Sequence, residues 1–143
     1  MAASQRDLRE VRQGTREYKD VDEALEDGYV LVPGLDHCFN NPGVGAMGYH
    51  YIDTEDLDTQ LEADHPEAMV YSYDRKGCLR LGAVEYIVPA AAWDAEGHTH
   101  LPMLFGRSFH LNQALGVYVL HAWAWKNNPS GVFEDWNPNV SCP

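Results

Sequence analysis

Four residues of this 143-residue chain have the types and placement to do chemistry together: His50, Glu85, His110 and His121. Each falls in a different apolar stretch with the period-two pattern of a strand. His50 shares a face with Gly48 and Ile52 in GAMGYHYID, and His121 sits mid-face between Val117, Val119, Trp123 and Trp125. Glu85 stands in a row with Leu79, Leu81, Ala83 and Ile87, and His110 closes LFGRSFH. A carboxylate in an apolar row is expensive unless something pairs it. Three imidazoles and a carboxylate converging from neighbouring strands form a ligand set for a divalent transition metal: zinc, iron, manganese, nickel or copper. Glu85 is then a fourth ligand, or the general base that handles a metal-bound water. Tyr51, Trp123 and Trp136 are the expected walls of a ligand pocket. The competing reading makes each histidine a separately satisfied core or rim residue, with Glu85 paired to Arg80, Arg107 or a tyrosine hydroxyl.

Other chemistry finds less support. His98-x-His100 lies between Gly97 and Pro102 on an expected surface loop, where solvation is the simpler account. Seven acids and no Lys or Arg fall between Asp53 and Glu67, but the spacing and glycine of an EF-hand loop are missing. There is no Gly-x-Ser-x-Gly, no phosphate-binding glycine loop, no HExxH and no dinucleotide fingerprint. No CxxC or Cys/His finger spacing occurs, which argues against a structural zinc site built on cysteines.

The elements that must position these residues follow from the same patterns. Residues 1–16 alternate charge with sparse apolar positions and are expected to be a flexible N-terminal segment, although Leu8, Val11 and Thr15 hint at a helix. Residues 17–143 are expected to form a single α+β domain. Tyr18, Val21, Ala24 and Leu25 share a helical face over 17–27, with Gly28 placed as the C-terminal cap. Ala68–Tyr73, the turn Asp74-Arg75-Lys76-Gly77 and Cys78–Val88 read as a hairpin. Leu104–Leu111 and residues 117–125 read as two further strands. The expected fold is a mainly antiparallel sheet curled into a barrel or half-barrel, with the N-terminal helix packed against it.

Composition narrows the partners. Ten Lys and Arg against twenty-two acids give a formal net charge of −12. No basic face is on offer for nucleic acid or an anionic membrane, which leaves a small-molecule ligand or substrate as the expected partner. The opening MAASQRDLRE lacks a hydrophobic signal core. A bond between Cys38 and Cys142 would close a loop of roughly 100 residues, worth about 4–5 kcal/mol in the chain-entropy treatment; three reduced thiols are the alternative.

The segments GAMGYHYID, PEAMVY, RLGAVEYIVP, LFGRSFH and LHAWAWKNNPSGVFEDWNPNVSC together resemble an uncharacterised family of small, often secreted bacterial proteins. The resemblance spans about Tyr18 to Cys142. It implies a Cys38–Cys142 disulfide and shared positions for His50, Glu85, His110 and His121, and it brings no activity. The localisation expected is secreted or periplasmic if that disulfide forms, and cytoplasmic otherwise. The function expected is a metal-binding protein, a small metalloenzyme acting on an organic small molecule. The alternative is a non-catalytic binding or structural secreted domain with an aromatic pocket.

Overall fold

Leu8, Val11 and Thr15 recur at helical spacing, and in the computed structural model, which describes residues 5–143, they lie on helix α1 (Gln5–Thr15). Val11 and Thr15 are buried. The Thr15 hydroxyl donates to the Val11 carbonyl at 2.8 Å and accepts from Trp125 Nε1 at 2.9 Å, while Arg12 Nε donates to the Ala124 carbonyl at 2.7 Å. The segment expected to be flexible is therefore packed on the body of the protein from residue 5 onward; residues 1–4 lie outside the described residues. The helix expected over 17–27 is divided. A 3-10 turn covers Arg16–Lys19, and Asp20, in an extended conformation, starts α2 (Val21–Glu26) by accepting from the Asp22 amide.

The strands are β1 (Tyr29–Val30), β2 (Phe39–Asn41), β3 (Gly45–Asp53), β4 (Ala68–Tyr73), β5 (Leu79–Pro89), β6 (Met103–Leu104), β7 (Arg107–Ser108), β8 (His110–Asn112) and β9 (Val117–Ala122). Helix α3 (Ala90–Ala95) follows β5. Seven strands form one antiparallel sheet in the order β1-β3-β4-β5-β9-β8, with β2 also paired to β3. The path is linear, and among the described residues no ladder joins β1 to β8 to close it. An α+β fold on an antiparallel sheet is thus present; a closed barrel is not seen in the pairing.

Alternation gives the sheet two apolar faces. One packs Met69, Tyr71, Val84, Tyr86, Val88 and Leu120 against Val11, Tyr18 and Ala24 of the helical layer. The other carries two smaller clusters, Ala46–Met47–Val70–Ala83–Trp123–Val140 and Ile52–Ala68–Ile87–Val119. It is this second face that holds the site.

Three departures from the sequence pattern shape that face. First, Val70 pairs with Ala83 and Tyr71 with Leu81, so Gly82 is an extra residue, a bulge. Leu79 and Leu81 consequently pack on the helical side, while Ala83 and Ile87 turn to the other side along with Glu85. Second, β9 stops at Ala122: the Trp123 amide donates to the Val132 carbonyl, and the Gly82 carbonyl accepts from the amides of Trp125 and Lys126. Third, the strand expected over Leu104–Leu111 folds into a tiny β6–β7 hairpin, because Phe105 and Gly106 both take positive φ (56° and 71°); β8 then joins β9.

The C-terminal segment folds back over the second face. Asn137 bridges to Ala46, and Cys38–Cys142 is a disulfide with a sequence separation of 104 residues. Cys78 is free and exposed. Among the described residues no helix is long and apolar enough to cross a membrane.

Candidate metal centre

Strand pairing brings the charged groups together. Glu85 and His121 are direct partners across β5 and β9, and Ala68 of β4 pairs with Glu85 on its other side. His50 lies one strand further out, on β3, opposite Val70. Neighbouring strands are about 4.8 Å apart, so His50 must reach across β4 to meet Glu85. The small Ala68 side chain leaves room for that.

The three polar ends converge. His121 Nε2 is 3.1 Å from Glu85 Oε2, His50 Nε2 is 3.4 Å from His121 Nε2, and His50 Nε2 is 3.7 Å from Glu85 Oε1. His50, Glu85 and His121 are 5%, 8% and 1% exposed. Behind them, His121 Nδ1 is 3.0 Å from Asp135 Oδ1, whose other oxygen is 3.0 Å from His110 Nε2. A neutral His121 that donates Nδ1–H to Asp135 carries a lone pair on Nε2, aimed at a carboxylate oxygen. With His50 in the tautomer that leaves the lone pair on Nε2, three acceptor atoms face one another, an arrangement that a shared proton or a bound cation relieves.

The electrostatics agree. Burial drives His50 down to about 3, so it is neutral with a free lone pair. Burial pushes the Glu85 carboxyl up, opposed by the adjacent His121. For His121 burial works downward, but Glu85 and Asp135 outweigh it and raise the imidazole. Asp135 is held well below the usual carboxylate range: its burial acts upward and is overcome by hydrogen bonds to His110 and His121. His110 is raised, chiefly by its bond to Asp135.

Ligand atoms at about 2.0–2.1 Å from one ion lie roughly 2.8–3.4 Å apart in octahedral or tetrahedral geometry; two of the separations here, 3.1 and 3.4 Å, fall in that range and the third, 3.7 Å, is slightly longer. His50, Glu85 and His121 together meet the geometric requirement for holding a metal ion. Asp135 supplies the outer carboxylate that commonly orients a ligating imidazole. His50 has no such support: its Nδ1 is sealed and without a hydrogen-bond partner among the described residues. The Phe39 ring packs against it instead, at 4.7 Å.

The cluster opens on a cavity of about 260 Å³. His110 lines this cavity, but it reaches the cluster only through Asp135 and is not one of the converging ligands. None of Tyr51, Trp123 and Trp136 lines it. Tyr51 has the opposite parity to His50 and packs its ring on Tyr71 on the helical side, 5.1 Å away. Trp123 lies just past β9, buried among Ala46, Met47, Val70 and Ala83, with Trp136 packed on the same cluster. The walls are aliphatic instead, among them Met47, Ile52, Ile87, Val117 and Val119, and Phe39 supplies the aromatic ring.

The two tryptophans still serve the site indirectly. Trp123 Nε1 donates to the Glu134 carbonyl at 2.7 Å, and Asn128 Nδ2 donates to the Trp136 carbonyl at 3.1 Å. These bonds clamp the backbone on both sides of Asp135. Asp135 is the residue that sequence reasoning missed, since it sits on a loop with no periodicity to flag it; its only signal is a carboxylate inside the long C-terminal motif. Of the partners that the competing reading gives Glu85, Arg80 is engaged elsewhere, its Nε donating to Asp74 at 2.8 Å. His98 stacks on Trp93 and bonds to Glu96, away from the cluster. A second group, Asp53, Asp56 and His65, is partly exposed, with His65 Nε2 3.2 Å from Asp56.

No family model matches the chain, and neither does any curated protein or solved structure.

Proposed function

We propose that His50, Glu85 and His121 hold one divalent transition metal with open positions facing the cavity, and that the protein is a small metalloenzyme acting on an organic small molecule. The observation that carries this reading is the convergence of three buried ligand-type atoms, two imidazole nitrogens and a carboxylate, at 3.1–3.7 Å. Two imidazoles and one carboxylate with positions left open are the donor set of hydrolytic zinc sites and of non-haem iron centres. Zinc, iron and manganese suit it best; copper and nickel are chemically compatible. In this reading Glu85 is a ligand and not the general base. His110 Nε2, paired with Asp135 on the cavity wall, is the group placed to exchange a proton with solvent. The half-barrel curl expected of the sheet belongs to the same proposal, supported by a cavity whose walls come from β3, β5 and β9 on one face.

The disulfide is consistent with an oxidising compartment. Secretion, and the resemblance to an often secreted bacterial family, are part of the proposal. The aliphatic cavity also suits a second reading, a binding module without chemistry, and metal content separates the two. Elemental analysis of untagged protein purified without chelator is expected to find one equivalent of transition metal, lost in His121→Ala and Glu85→Gln with the fold kept. Saturating metal, at about 1,000 times its Kd, is expected to stabilise the wild type by about 4 kcal/mol. No metal in the wild type, and no rise in Tm on adding zinc, iron, manganese, copper or nickel, refutes the metalloenzyme reading.

A further inference from the structure

The cavity constrains what its occupant can be. Its floor is the His50–Glu85–His121 cluster, and its walls include Leu35, Met47, Ile52, Ile87, Val117 and Val119. Besides the cluster, His110 and Asp135, the polar lining is Asn112, and among the described residues no Lys or Arg lines the cavity. The Glu85 carboxylate would face a bound ion directly, and the Asp135 carboxylate is already shared between His110 and His121, which leaves no unpaired cationic side chain in the lining for an anionic ligand. An ionic ligand would leave a net charge in an apolar chamber, which is costly. The volume, about 260 Å³, falls just below the range of roughly 300–1,000 Å³ typical of drug-sized ligands. Leu57 and Leu115 also line the cavity while staying 37% and 47% exposed, which gives its mouth an apolar rim.

We infer that this cavity takes a small, uncharged, largely aliphatic molecule with one polar head, oxygen or nitrogen, seated at the cluster and its alkyl part against Ile52, Ile87, Val117 and Val119. The inference rests on the metal-centre reading, since the head is held by the ion, and names the substrate class of that site. Aromatic or sugar-like substrates fit less well: aliphatic side chains give few stacking surfaces, and the polar groups beyond the cluster are His110, Asp135 and Asn112, the first two already bound to each other.

The test uses zinc-loaded full-length protein and a series of probes whose polar head stays uncharged when it meets a metal ion through oxygen: acetamide, butanamide, hexanamide and octanamide, titrated by calorimetry. Affinity is expected to rise roughly threefold to fourfold for each added methylene until the cavity is filled, with a negative heat-capacity change. Val119→Phe, which fills the cavity, and Leu115→Glu, which charges its rim and is exposed enough to be tolerated, are expected to flatten that rise while zinc content, read by elemental analysis, stays the same. Equal affinity along the series in zinc-loaded wild type overturns the aliphatic inference and leaves the metal centre standing. Failure to take up zinc, read independently by elemental analysis, overturns both. A rise with chain length that survives in both variants places the alkyl group elsewhere and also overturns the inference.

Discussion

At the scale of single residues, the site is a contest over one proton. Burial alone would leave both imidazoles of the cluster neutral, but Glu85 and Asp135 hold His121 up, so the metal-free cluster keeps a proton that a metal must displace. Metal binding is therefore expected to release protons and to weaken as pH falls through and below neutral. Calorimetry in buffers of different ionisation enthalpy, together with competition titrations, measures both. Asp135→Asn, which removes the charge behind His121, is expected to weaken metal binding about 10–100-fold, read by the same titrations. Glu67 is a second buried acid. It is 2% exposed, accepts from the Ile87 amide at 2.8 Å, and burial pushes its carboxyl up to about 8. The unfolded chain loses this proton near pH 4.5, whereas the folded protein keeps it to about pH 8, so the group costs stability progressively as pH rises through that window. Glu67→Gln keeps an acceptor for Ile87 and removes the charge. It is expected to stabilise the protein at alkaline pH by on the order of 2–4 kcal/mol, and to flatten the fall in Tm across the window.

At the scale of elements, glycines decide where strands may approach or turn over. Gly48 in β3 has φ of 116°, and a Cβ there would sit 2.2 Å from the Tyr71 carbonyl oxygen of β4. Two backbones cannot make room for that atom without parting. Gly48→Ala is expected to destabilise by on the order of 2–4 kcal/mol in chemical denaturation and to shift His50, two residues along, enough to weaken metal uptake. Gly82 works differently. Its bulge turns β5 over, so that Glu85 faces the histidines instead of the helical layer, and its carbonyl anchors the chain just after β9. Strand β9 thus holds His121, and the loop that follows it returns Asp135 to the same imidazole.

At the scale of the whole molecule, one face of the sheet is closed by helices and the other by a C-terminal segment with little regular structure. That segment carries Asp135 and is tied by Cys142 to Cys38, next to the Phe39 that packs on His50. The disulfide closes a loop of 104 residues in sequence separation. A Cys38→Ser, Cys142→Ser double variant is expected to lose about 4–5 kcal/mol and to lower Tm by roughly 10–15 °C in thermal unfolding. Its metal is expected to exchange faster with chelator, because the segment bearing Asp135 is no longer tethered.

Much of this was legible in the chain. Period-two alternation placed His50, Glu85 and His121 within strands, the hairpin of β4 and β5 was written in its turn, and helical spacing marked Tyr18–Leu25 while giving only a hint at Leu8–Thr15. Each of these is a local preference, settled by residues a few positions apart. What the sequence could not settle is which side chains meet. That depends on strand order and register, and a single extra residue moves every later side chain to the other face. Gly82 does so between Leu81 and Ala83. Likewise His110 entered the expected ligand set by its place on an apolar stretch, and the fold gave the adjacent position to Asp135, from a loop without any period to read. The aromatic walls failed for the same reason: Tyr51 and Trp123 have the right chemistry, but backbone parity and the early end of β9 point them into the packed layers, leaving the cavity to aliphatic side chains.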